Sequence, residues 1–284
     1  MIGQEAQLTI DSSIGLNDGG RIPLLGFCVF QAKDGEECQQ AVRVAIAAGY
    51  RHIDTAAAYG NEASVGRALA EAGVPRGDLF LTTKTPWDQS PDGLRVGLDA
   101  SLKALQTDYV DLYLIHWPLA DASLPAAWAT LQQFKAAGRC RSIGVSNFTI
   151  ERFEKAFLPH AGTMPAVNQV ELHVFNQRDE LVDYCRAKGM QIEAYSVLTR
   201  NKRLAGPHPV LAEVAAEHGK TVPQVMIRYV LQKGIVALVK SVTPARIREN
   251  AAVFDFELTP EEMRRLDGLN EDLVVQDWFP KGYY

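Results

Sequence analysis

From Leu24 to about residue 252 the chain alternates, without a break, between short apolar runs and stretches whose apolar residues recur every three or four positions. Short continuous runs predict strands buried on both faces, and the three-to-four spacing predicts helices that bury one face. The expected strands are 24–27, 51–55, 79–84, 110–116, 141–146, 166–171, 190–195 and 235–239. The expected helices are 36–48, 61–72, 91–105, 124–137, 150–157, 179–187, 222–232 and 244–252. Eight such pairs in this length predict an α/β fold, a closed (β/α)8 TIM barrel of parallel strands with its helices outside. Two helical patterns, about 209–218 and 260–268, lie outside the repeat. Ahead of it, Asn17-Asp18-Gly19-Gly20 within Leu8 to Pro23 predicts an N-terminal β-hairpin. No linker or low-complexity tract interrupts the pattern, so residues 1–284 are expected to form one domain.

The informative residues are the polar ones that break the apolar runs. The stretch Gly49 to Glu62, GYRHIDTAAAYGNE, follows an apolar helix pattern closed by Gly49. It carries His52, Asp54, Tyr59 and Glu62 through a buried strand, over a rim of small residues and into the first turn of a helix. Asp54 falls at a strand's carboxyl end, where barrel enzymes place their chemistry. A single strand-end Asp more often caps or braces a loop, but Lys84 closes the next strand and His116 the one after. An acid, a phenol, an ammonium and an imidazole are thus expected near one rim.

Those residues carry a resemblance. GYRHIDTAAAYGNE, a lysine closing a strand, LIHWP, SNF (Ser146 to Phe148), NQVELH (Asn168 to His173) and VKSVTPARIREN (Val239 to Asn250) stand in order. Together they resemble the aldo-keto reductase family, over Leu24 to about Leu269. The resemblance implies a reductase of aldehydes and ketones that uses NADPH/NADP+, with the hairpin under the barrel and the two additional helices beside it. Tyr59 would be the general acid, made a stronger acid by Lys84. Asp54 would orient Lys84, and His116 would bind the substrate oxygen. A cation about 4 Å from a phenol can lower its pKa of about 10 by up to about 3 units before desolvation. The same match implies that Ser146, Asn147 and Gln169 hold the nicotinamide carboxamide. Tyr195 would stack on the ring, with Ser196 and Leu198 near the pyrophosphate. Lys240, Ser241, Val242, Thr243, Arg246, Glu249 and Asn250 would hold the adenosine end. Phe30, Trp87 and Trp117 are expected on the substrate wall.

Three departures bear on the pocket: Cys28 where the family commonly has Gly, Pro86 moving the usual Trp to Trp87, and Val197 in place of Pro. The short segments after His116 and Tyr195 and a compact tail ending DWFPKGYY imply an open site. It resembles the bacterial keto-sugar and small-dicarbonyl reductases of the 2,5-diketo-gluconate reductase type. Two other readings stay open: a barrel that uses Lys84 as a Schiff-base nucleophile, and a non-catalytic NADPH-binding scaffold.

Composition narrows the partners. With 29 Lys and Arg against 34 Asp and Glu, a net charge of −5 leaves no basic field for nucleic acid or an anionic membrane. No GxGxxG follows a strand, so phosphate recognition must be local to VKSVTPARIREN, at a helix start. The four scattered cysteines show no metal-like spacing and are expected as unpaired thiols in a reducing compartment. No apolar span of 18 residues and no leader pattern is present, so a cytoplasmic protein is expected; a monomer is expected, and a small-molecule carbonyl substrate is what the resemblance implies.

Overall fold

The structure, a computed structural model, describes residues 7–118, 123–204, 206 and 208–276. The tail 277–284, on which the compact-end reading rests, and 119–122 after His116 lie outside the described residues. A two-stranded antiparallel hairpin, β1 (Ser13–Gly15) and β2 (Arg21–Pro23), precedes a closed parallel barrel of eight strands. The barrel strands are β3 (Leu25–Cys28), β4 (His52–Asp54), β5 (Phe80–Lys84), β6 (Val110–Ile115), β7 (Cys140–Ser146), β8 (Val167–Glu171), β9 (Gln191–Tyr195) and β10 (Val236–Val239). They pair in sequence order, and β10 closes on β3 with Ala237 opposite Leu25.

The helices between them are α1 (Glu36–Ala47), α2 (Glu62–Glu71), α3 (Pro91–Leu105), α4 (Leu124–Ala136), the single turn α5 (Ile150–Arg152), α6 (Asp179–Ala187) and, between β9 and β10, both α7 (Pro209–Glu217) and α8 (Val222–Gln232). After β10 come α9 (Pro244–Ala251) and α10 (Pro260–Asp267). The barrel, the hairpin and the two additional helices, α7 and α10, are those that the periodicity predicts.

Start and stop signals act where their chemistry requires. Gly49 ends α1 in the left-handed region at φ +100°, where a side chain would be strained. Pro91, Pro209, Pro223, Pro244 and Pro260 each sit in a first turn, where a missing N–H costs nothing. The hairpin closes the amino-terminal end of the barrel. Its loop is pinned by Asn17 Nδ2 donating to Pro165 O at 2.8 Å and by Lys135 to Asp18 at 2.6 Å. Ile22 and Leu24 beneath it are buried. The open end of the barrel is therefore its carboxyl-terminal mouth.

One expected element differs. In place of a helix over 150–157, a single α-turn passes into a π-turn (Phe153–Phe157) and then a 3₁₀ turn (Leu158–His160). Phe153, Ala156 and Phe157 are all buried, and both rings pack edge-on or tilted against Phe148, with Phe157 also edge-on to Trp128. The three keep the i, i+3, i+4 spacing that puts them on one apolar face, and Pro159 prevents regular continuation.

The cysteines lie in four different elements: Cys28 on β3, Cys38 on α1, Cys140 on β7 and Cys185 on α6. All are buried and unpaired. Burial pushes the Cys38 thiol up to about 11 and the Cys140 and Cys185 thiols to about 12.

Candidate active site

Residues two apart on a strand face the same side, so His52 and Asp54, Thr82 and Lys84, and Gln169 and Glu193 across their register all project into the lumen. Gly26 makes this possible beside β4. A Cβ there would stand 2.7 Å from His52 Nδ1 and 2.5 Å from Leu238 Cδ2, so only glycine leaves room for the imidazole.

At the carboxyl ends of β4 and β5, Lys84 Nζ lies 2.8 Å from both Asp54 oxygens, 2.9 Å from Thr55 O and 3.2 Å from Tyr59 Oη. Asp54 and Lys84 are wholly buried. The ammonium has three hydrogens, and the carboxylate, the carbonyl and the phenol oxygen account for them. Tyr59 accepts from Lys84, which leaves its own O–H to point elsewhere, toward the cavity it lines. His116 closes the fourth side, its ring edge-on to Tyr59 with centroids 5.7 Å apart. Its ring nitrogens make no hydrogen bond to the described residues, while its carbonyl accepts from Asn147 Nδ2 at 3.2 Å. Burial and the Lys84 charge hold the imidazole well below its usual range, so it is neutral.

The acid strength of Tyr59 runs opposite to the sequence expectation. Burial pushes the phenol well above 10, and Cys28, Asp54 and Glu193 push it further. The reason is that the Lys84 charge is already engaged face-on by Asp54, so the phenol meets a nearly neutral pair within a dry wall. Tyr59 therefore holds its proton firmly at neutral pH.

A cavity of about 400 Å³ opens over this group. It is lined by Tyr59 and His116, by Phe30, Trp87 and Trp117, and by Ser146, Asn147, Gln169, Tyr195, Ser196, Leu198 and Lys240. The three expected aromatic wall residues thus share one space with the catalytic candidates. Phe30 packs on Tyr59 at 5.0 Å, and Trp87, 65% exposed, stacks parallel to His116 at 6.1 Å. Tyr195 Oη donates to Asn147 Oδ1 at 2.7 Å, and Ser146 Oγ donates to Gln169 O at 2.8 Å. Asn147 and Ser196 hold φ of +66° and +56°, uncommon for residues with a side chain.

Ser241, Val242, Thr243, Arg246, Glu249 and Asn250 are not among the residues that line this cavity. They form the loop after β10 and the start of α9, with Lys240 and Arg246 exposed and Asn250 buried. Ser241 Oγ accepts from Thr243 N at 3.1 Å, and Glu249 accepts from Thr221 Oγ1 at 2.7 Å, which ties α9 to the cap of α8.

Sequence reasoning missed Gln31, Arg200, Asn201 and Gln276 on the lining. Arg200 and Asn201 sit in a left-handed run after β9 for which the sequence has no glycine signal. It also missed Glu193, buried beneath the site. The signal was present as a lone acid at an inward position in QIEAY.

Residues 25–271 match the family model described as the aldo/keto reductase family, and the chain belongs to that family. Among similar proteins, the glyoxal reductase of Bacillus subtilis (strain 168) is 42% identical over 266 residues, 93% of this chain and 95% of its own. An aldo-keto reductase from a Medee basin deep-sea metagenome library superposes with a TM-score of 0.90 at 36% identity, over 93% of this chain and 97% of its own. A Bombyx mori aldo-keto reductase, solved in complex with NADP, gives 0.86 at 37% identity over 95% and 96%.

Proposed function

We propose that this protein reduces small aldehydes and ketones with NADPH, Tyr59 giving the proton and His116 holding the carbonyl oxygen. The observation that carries this reading is the bond from the buried Lys84 to Tyr59, on the wall of a cavity that a neutral imidazole also lines. A substrate oxygen between Tyr59 and His116 would meet two neutral donors, and the developing alkoxide would take the phenolic proton. The phenolate left behind would stay hydrogen-bonded to the Lys84 ammonium, 3.2 Å away, an attraction partly offset by the Asp54 carboxylate on the same ammonium.

The donor set fits a nicotinamide, which supplies the hydride when bound. Both Gln169 amide hydrogens are taken by carboxylates, at 2.9 Å from Asp54 Oδ2 and 2.6 Å from Glu193 Oε2. Its Oε1 is left to accept from a carboxamide, with Ser146 and Asn147 alongside. Tyr195 offers its ring to the same space, and Ser196 and Leu198 adjoin it. Lys240, Ser241, Val242, Thr243, Arg246, Glu249 and Asn250 would meet the adenosine end. The NADP held by the Bombyx mori relative supports the cofactor, and the glyoxal reductase supports small dicarbonyls as substrates.

A Schiff-base role for Lys84 fits poorly, because an ammonium with every hydrogen engaged has no lone pair to offer a carbonyl. The test is loss of NADPH absorbance with glyoxal, methylglyoxal, keto-sugars and simple aldehydes. Turnover with dicarbonyls above the simple aldehydes is expected. No turnover with any of them, or a borohydride-trapped adduct on Lys84, would replace this reading.

A further inference from the structure

The acid beneath the site has no part in the reaction as described so far. Glu193 is completely buried in the lumen, and its Oε2 accepts from Gln169 Nε2 at 2.6 Å. The second hydrogen of that same nitrogen goes to Asp54 Oδ2 at 2.9 Å, the oxygen that Lys84 also binds at 2.8 Å. A continuous chain therefore runs Glu193, Gln169, Asp54, Lys84, Tyr59, and one amide nitrogen is shared by two acids.

We propose that Glu193 is a positioning residue for the proton transfer: it fixes the Gln169 amide that holds Asp54, and it must carry its own proton for Tyr59 to act as an acid. This inference rests on the reductase reading above.

Three observations support it. The first is charge. The titratable and polar groups near Glu193 are His52 and Asp54 from β4, Lys84 from β5, Gln169 from β8 and Tyr59 at the rim, while the neighbouring strand β10 is apolar throughout, Val236–Val239. Lys84 is one cation and Asp54 one anion, so no positive charge remains for Glu193. The second is satisfaction. Glu193 Oε1 is buried with no hydrogen-bond partner at normal distance, and His52 Nε2 stands 3.4 Å away, itself 3.0 Å from Thr82 Oγ1. An unpartnered carboxylate oxygen in such a place is costly, whereas a protonated one places its hydrogen toward the imidazole. The third is the titration that follows. Burial, then Asp54, push the Glu193 carboxyl up to about 8, and burial keeps His52 neutral down to about 4.

Below about pH 8 Glu193 is neutral. Above it a second anion stands in the lumen, and Glu193 is already one of the groups that raise Tyr59. A phenol held more tightly gives its proton less readily, so carbonyl reduction should fall on the alkaline side through Glu193 before Tyr59 itself ionises.

The experiment is kcat for carbonyl reduction at saturating NADPH and substrate, from about pH 6 to pH 10, in the parent, Glu193→Gln, Glu193→Leu and Tyr59→Phe. The parent is expected to lose about tenfold between about pH 7 and pH 9.5, with a midpoint near 8. Glu193→Gln, a permanent mimic of the neutral acid, should cost about threefold at pH 7 but bring the ratio of the two rates near one. Glu193→Leu, which frees the Gln169 amide, should lower kcat at every pH with the carbonyl KM changed far less. The infrared band of a protonated carboxyl should be present at neutral pH, titrate near 8 and vanish in Glu193→Gln. An alkaline limb unmoved by Glu193→Gln, or no such band in the parent, overturns the inference. If Tyr59→Phe is inactive while the limb stays unmoved, the reductase reading stands and this inference alone falls. If Tyr59→Phe turns over like the parent, both fall.

Discussion

The inner wall of the cavity and the segment beyond β10 are built in opposite ways. Asp54, Lys84, Gln169 and Glu193 are buried and have made their bonds before any ligand arrives. Lys240 and Arg246 are exposed, form no ion pair among the described residues, and stand beside a serine turned back into its own loop. Where charge moves during a reaction, a preformed dry environment avoids the cost of reorganising water and dipoles. Where a charged tail must be gripped and released, exposed cations give an attraction that is adjustable and screened by salt. On the reading proposed above, the first region governs rate and the second governs affinity.

The widest separation should come from Tyr59→Phe, which removes the proton and leaves the chain to Lys84 otherwise intact. Turnover is expected to fall by about 10² to 10⁴, with NADPH binding by titration nearly unchanged. Turnover within threefold of the parent would sink the assignment and with it the contrast.

A second prediction tests whether the inner wall is as dry as its bonds suggest, and it is read in stability. His52 and His116 titrate lower in the folded protein than unfolded, so their contribution rises with pH up to about 6.5 and is complete above it. Glu193 titrates higher, so its contribution is full below about 4.5 and is lost as pH climbs to about 8. Between about 4.5 and 6.5 the rising contributions of the two histidines outweigh the single falling one of Glu193. From there to about 8 Glu193 acts alone, and stability should drop by about 2 kcal/mol. Denaturant titrations at pH 6.5 and pH 8 should show this drop in the parent and not in Glu193→Gln. A flat parent would mean that water reaches the lumen.

The smallest expected effect belongs to the outer segment. Arg246→Ala should weaken NADPH binding about tenfold, leave NADH almost untouched and flatten the salt dependence, with kcat at saturating cofactor unchanged. Equal weakening of both cofactors would assign Arg246 to the support of α9 instead.

What could be read from the sequence follows the range of the forces involved. Strands buried on both faces, such as Val110–Ile115, announce themselves as apolar runs, and helix starts such as that at Pro260 carry their caps within four residues. Asp54, Tyr59, Lys84 and His116 were legible because each interrupts such a run or stands just past its end. The link from Gln169 to Asp54 spans 115 residues and left no local mark. Nor did the direction of the Tyr59 shift, which depends on how Lys84 divides its three hydrogens rather than on its presence. The turn at Phe153–Phe157 escaped because its buried residues keep the spacing of an ordinary helix, and period alone does not separate a π-turn from an α-turn.

The four enclosed thiols give the molecule a set of built-in clocks. A maleimide or iodoacetamide reacts with a thiolate, and here each sulfur is both shielded and reluctant to ionise, so labelling must wait for its element to open. Cys38 would time the outer layer at α1, Cys185 that at α6, and Cys140 the floor near the hairpin. Cys28 would time the wall that faces the cavity. Identical labelling rates at all four would describe a barrel that opens in one event, and an early Cys38 or Cys185 would show helices lifting from a barrel still closed.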